Sequence, residues 1–103
     1  MAIKNALLSN TVTAITESLA TDSAIVNMLF CNLSNAVENI DVHIVKSGDS
    51  YGDINKILNQ VPIDPYNTFS FGSDKLVLSA GDRIYAATST TNHVSATISY
   101  VVM

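Results

Sequence analysis

"HVSATISYVV", residues 93–102, alternates with a period of two. Val94, Ala96, Ile98, Tyr100 and Val102 fall on one side, and Ser95, Thr97 and Ser99 on the other. Only an extended chain puts residues i and i+2 on the same face, so this is a strand with one face on a core. The same period runs through "NIDVHIV" (39–45), where Ile40, Val42 and Ile44 oppose Asp41 and His43. It continues through "RIYAATST" (83–90), with Ile84, Ala86 and Thr88 on one side, and the β-branched residues of "TAITESLA" (13–20) favour a strand.

Turn signals separate these runs: "SGDSYGD" at 47–53, "IDPYN" at 63–67, "GSD" at 72–74, "SAGD" at 79–82 and "TTN" at 90–92. Short strands at such spacing predict an all-β fold, an antiparallel β-sandwich of about eight strands, jelly-roll-like, in a single domain over 1–103. The expected core is Val26, Met28, Phe30, Ile40, Val42, Ile44, Leu76, Leu78, Ile84, Ile98 and Tyr100. "DINKILNQ" (53–60) has helical spacing at Ile54, Ile57 and Leu58 behind a cap candidate, Asp53. Pro62 follows closely, so the stretch reads as a loop and an edge strand with room for one helical turn.

A chain of 103 residues supports one hydrophobic core. Its charged fraction of 14% is well below the roughly 25% of ordinary soluble domains, so surface charge is missing somewhere. Five basic residues, spread singly, and a net charge of −4 offer no patch for a phosphate backbone, and nucleic acid is not an expected partner. No apolar run approaches the ~20 residues that span a bilayer, the opening "MAIKNALLSNT" lacks a signal-peptide core, and no membrane partner is expected. One cysteine excludes an internal disulfide framework and suits a reducing cytosol.

Residue chemistry points away from an enzyme. In "LVLSAGDRIYAATST" (76–90) the Gly81-Asp82 pair has neither the extra glycines nor the following helix of a phosphate loop, and reads as a corner between strands. His43 and His93 have no ligand partner at metal spacing. Asp49, Ser50, Asp53 and Asn55 offer oxygens in one loop but fit no EF-hand, so no metal and no cofactor are expected. "NLS" at 32–34 has the glycosylation pattern without a secretory context, and no serine sits in a nucleophile elbow. Cys31, in the apolar "AIVNMLFCNL", is expected to be buried and inert.

Two binding surfaces remain. In "SAIVNMLFCNL" (23–33), Ile25, Leu29, Cys31 and Leu33 oppose Val26, Met28 and Phe30, so both faces are apolar; "YVVM" likewise sets Val101 against Tyr100 and Val102. A small sandwich covers one face of a strand, and a neighbouring subunit covers the other. Ile25, Leu29, Leu33, Val101 and Met103 are therefore candidate interface residues of a homo-oligomer. A long N-terminal segment laid across the second sheet is the monomeric alternative. A different class, a glycan-binding module for host attachment, would use loop aromatics, with Tyr51 and Tyr66 as contacts.

The order of these features resembles a family of small virion structural proteins of tailed bacteriophages, of the marine and cyanobacterial-phage type. The resemblance is carried by "AIKNALL", "TAITESLATDSAI", "MLFCNLSNAVENIDVHIVKSGDS" and "KLVLSAGDRIYAATSTTNHVSATISYVVM", while "DINKILNQVPIDPYNTFSF" matches loosely. It implies no catalytic residues. It implies a part of the particle, as a head decoration protein or a tail, neck or fibre component in contact with capsid or tail proteins. Its location would be the virion, assembled in the host cytoplasm.

Overall fold

The computed structural model describes residues 2–16, 20–71 and 76–102. Among these described residues nine strands follow one another: β1 (Ala2–Leu7), β2 (Thr13–Thr16), β3 (Ser23–Asn32), β4 (Glu38–Val45), β5 (Lys56–Ile63), β6 (Thr68–Phe71), β7 (Leu76–Leu78), β8 (Arg83–Thr88) and β9 (Val94–Val102). One turn of 3-10 helix, Asp53–Asn55, precedes β5. It ends where β5 begins because Ile57 and Leu58 continue into a strand, Leu58 turning inward opposite Val42 of β4.

All pairings are antiparallel and form two sheets. One has the order β1-β9-β3-β6, with β7 also on β3; the other has the order β2-β8-β4-β5. The pairings nest: β1 with β9, β2 with β8, β3 with β6 and β7, β4 with β5. Two further ladders, β3 with β9 and β4 with β8, close the rolled ribbon. With β6 and β7 as two pieces of one edge, this is the nested scheme of an eight-stranded jelly roll.

The core between the sheets is built by the period of two. Met28 and Phe30 from β3, Ile40 and Val42 from β4, Ile84 and Ala86 from β8, and Val94, Ala96 and Ile98 from β9 are fully buried. Ile44, Leu76, Tyr100, Phe69 and Phe71 pack against them at the margin. Pro62 lies in β5, an edge strand, where its missing N–H breaks no ladder on the open side. Residues 2–7 pair along β9 instead of lying across a sheet, so the expected alternative of an N-terminal strap is not formed there.

One core assignment is corrected. Between Ile25 and Asn27 the ladder with β9 slips, because Tyr100 and Ser99 are adjacent while their partners are two apart. The bulge at Val26 reverses the parity of β3. Before it the odd residue Ile25 enters the core, at 3% exposure; after it the even residues Met28 and Phe30 do. Val26 stays half-buried and outside the core. Ile25, expected on an outer interface, is thus a core residue on the opposite side of the strand from Leu29.

Candidate subunit interface

With Ile25 removed, Leu29 remains on the outer face of the five-stranded sheet, at 36% exposure. The register supplies its neighbours. One row across the strands is Asn5, Thr97, Leu29 and Ser70; the next is Leu7, Ser95, Cys31 and Thr68. On the other side lie Ile3, Ser99 and Asn27, then Val101, Ala24 and Val77. Ile3, Leu7, Val77 and Val101 are exposed, and Leu33 is exposed just beyond the end of β3. Met103 lies outside the described residues.

Every one of these outer positions is apolar or an uncharged Ser, Thr or Asn. Among the described residues, the strands place no Asp, Glu, Lys or Arg on this face. Cys31 belongs to it as well. The expectation of a buried thiol is corrected: Cys31 is half-buried, because after the bulge odd residues of β3 point outward.

The outer face of the other sheet is different in kind. It carries Asp41, His43, Lys56 and Arg83, with Lys56 Nζ 4.0 Å from Asp41 Oδ2 and Gln60 donating from its backbone N–H to Asp41 Oδ1 at 2.7 Å. The 46–55 loop folds over it. Tyr51 packs its ring 5.6 Å from those of both His43 and Tyr85, and Arg83 donates to the carbonyls of Asp49 and Lys46. His43 Nδ1 lies 3.0 Å from both Gly52 O and Asn55 Oδ1, two acceptors, so Nδ1 carries the hydrogen. Among the described residues this outer face and its loops therefore carry charge, while the outer face of the five-stranded sheet is left neutral, Lys4 of β1 being aligned with the inner row of Ile98.

The remaining candidates take structural places. Asn55, counted as a calcium-binding oxygen, spends its amide inside the loop, accepting from Gly52 N–H at 3.0 Å and donating to Ser50 O at 2.9 Å. Among the described residues no three His, Cys, Asp or Glu side chains converge on a point that could hold a metal. Tyr51 and Tyr66 do not form one shelf: Tyr51 precedes β5 and Tyr66 follows it, so eight residues of strand, roughly 25 Å, lie between their loops. Gly81, at φ +91°, and Asp82 form a corner, where Asp82 accepts from Ser79 N–H at 2.9 Å and Ser47 N–H at 3.0 Å.

Two buried polar residues, Asn32 and Glu38, hold networks that the sequence reading did not assign. Asn32 ends β3 with its side-chain amide donating to Ala36 O at 2.8 Å and Ile63 O at 2.9 Å, and accepting from Ser34 N–H at 2.9 Å. That amide is fully buried, so the "NLS" pattern is a turn lock. Glu38, 3% exposed, accepts from Ser89 Oγ at 2.9 Å and faces His93 Nδ1 at 3.3 Å. Burial works to raise its pKa, but hydrogen bonds from Ser89, His93 and Thr90 outweigh it and hold the carboxyl below its ordinary value. Serine and histidine both address the acid and not each other, so this is no nucleophile–base pair. The signal for both was a polar residue at a core-parity position of a strand. No protein family matches the chain, and no curated protein matches it.

Proposed function

We propose that the chain is a non-enzymatic structural subunit of a tailed-bacteriophage particle, a capsid decoration or cement protein or a tail-, neck- or fibre-associated one. It acts through contacts with its own copies and with other virion proteins, in particles assembled in the host cytoplasm. The family resemblance in the sequence supports the setting. Jelly rolls serve both viral capsids and lectins, so the fold does not choose between assembly and glycan binding.

The observation that carries the reading is the neutral outer face of the β1-β9-β3-β6 sheet. A sheet face exposed to water is normally polar, charged side chains included, whereas charge is depleted at the centre of protein interfaces. Burying an unpaired charge between proteins costs several kcal/mol, and this face avoids that cost among the described residues. The separation of Tyr51 from Tyr66, and the packing of Tyr51 on His43 and Tyr85, weigh against a glycan shelf.

The test is co-sedimentation of the purified protein with phage heads and with tails. Wild type should bind one of them saturably, Leu29→Asp should lose that binding, and Asp49→Asn in the opposite loop should keep it. A folded protein that ignores particles and binds a glycan through Tyr51 or Tyr66 would sink the proposal.

A further inference from the structure

We infer that the neutral sheet face pairs with the same face of a second copy about a two-fold axis running along β9, an inference that rests on reading this face as an assembly surface. Three of the four sheet edges, β5, β1 and β2, resist strand addition, which favours contact through the face. β5 carries Pro62 and a left-handed Gln60 at φ 51°, both of which interrupt strand addition. On β1, Lys4 is aligned with the core residue Ile98, so a charge points inward at that edge, a device that opposes edge-to-edge pairing. β2 has four residues and a slipped register.

The face itself has a knob and a groove at one level. Leu29 stands on β3. A shallow, open groove runs along β1 and β9, bordered by Asn5, Leu7, Ser95 and Thr97. Asn5, Thr97 and Leu29 share one row of the register, with β9 between the knob and the far wall of the groove. A two-fold axis parallel to the strands and above β9 exchanges left and right but leaves each row at its own height. It therefore sets Leu29 of each copy into the groove of the other, satisfying both halves at once, as an isologous contact requires.

The short side chains of β9, Ser95, Thr97 and Ser99, lie under the axis, where the two sheets come closest. Aligned sheet packing at about 10 Å accommodates such a layer. Charge gives the same direction. Each copy carries −4 overall, so two copies repel unless they meet on a surface without acidic groups, and this face has none among the described residues.

The experiment is analytical ultracentrifugation across a concentration series, with maleimide labelling of Cys31 under native conditions as a second readout. Wild type should form a dimer, and Cys31, in the row beside Leu29, should label more slowly as the dimer fills. Leu29→Asp and Asn5→Lys should each weaken pairing by at least about 30-fold, the scale of a central contact. An equimolar mixture of the two should pair again, because one contact then sets Asp against Lys and the other is wild type. A mixture that stays monomeric, a Leu29→Asp protein that still dimerises, or a closed trimer would overturn the inference. So would a wild-type monomer at every concentration; if that monomer bound particles through Leu29, the self-pairing would fail while the virion reading stood.

Discussion

Asn32 sits at the last position of β3 with its amide enclosed, and it ties two turns that are distant in sequence. Its donors reach Ala36 O in the β3–β4 connection and Ile63 O at the end of β5, and Tyr66 N–H donates to Ser34 O nearby at 3.2 Å. Removing the amide leaves the buried Ile63 carbonyl without its donor, while Ala36 O keeps Ser34 Oγ at 3.0 Å, so Asn32→Ala should destabilise the protein by about 1–3 kcal/mol in urea unfolding. Gly81 is a second point where one atom matters. A Cβ there would stand 2.7 Å from Ser47 Oγ and 2.9 Å from Ser47 Cβ, on a left-handed backbone. Gly81→Ala should therefore cost about 1–3 kcal/mol by the same measurement, although the position is only half-buried.

At the scale of the element, β3 shows how one inserted residue redistributes a strand's chemistry. Its run of apolar residues on both faces reads as a demand for two partners. The bulge at Val26 answers part of that demand inside the molecule, since Ile25 and Met28 fall on the same side of the sheet. What remains outside is Leu29 and Cys31. The two leucine-sized residues should then separate cleanly under the same substitution. Ile25→Asp buries a carboxylate in the core and should cost more than about 3 kcal/mol or abolish folding. Leu29→Asp should leave the thermal unfolding midpoint within a few degrees of wild type, measured at low concentration, while abolishing assembly. Equal loss of stability in both would mean that Leu29 is core.

At the scale of the whole molecule, the jelly roll leaves one outer sheet face without charge among the described residues, and it closes one end with a carboxylate. Glu38 at the start of β4 receives Ser89 and His93 from the β8–β9 connection. Its folded pKa lies below the ordinary value, so its contribution is present above the ordinary carboxylate range and is lost as pH falls through the folded value. Thermal unfolding from about pH 7 to about pH 3 should show wild type more stable than Glu38→Gln at the upper end. The difference should shrink as the medium becomes acid; a constant gap would remove Glu38 from the acid response.

Much of this was legible in the residues. The alternation in "HVSATISYVV" and "NIDVHIV", and the turn signals between runs, determined strands, their buried faces and the antiparallel sandwich, because a pleated chain puts every second side chain on one side. The edge position of β5 was legible from Pro62, which cannot donate to a ladder. Other features depended on which strand lies beside which. The bulge that moved Ile25 inward exists only against the register of β9, whereas Cys31 keeps the side opposite Met28 and Phe30 that the alternation gave it. The lock at Asn32 and the acid at Glu38 required turns up to 55 residues apart to meet. The neutral face is likewise invisible along the chain, where Ile3, Leu29, Thr97 and Ser70 are scattered; only the pairing of β1, β9, β3 and β6 gathers them on one surface. Local periodicity is written in near neighbours, whereas a surface is assembled from residues whose separation in sequence carries no signal of their contact.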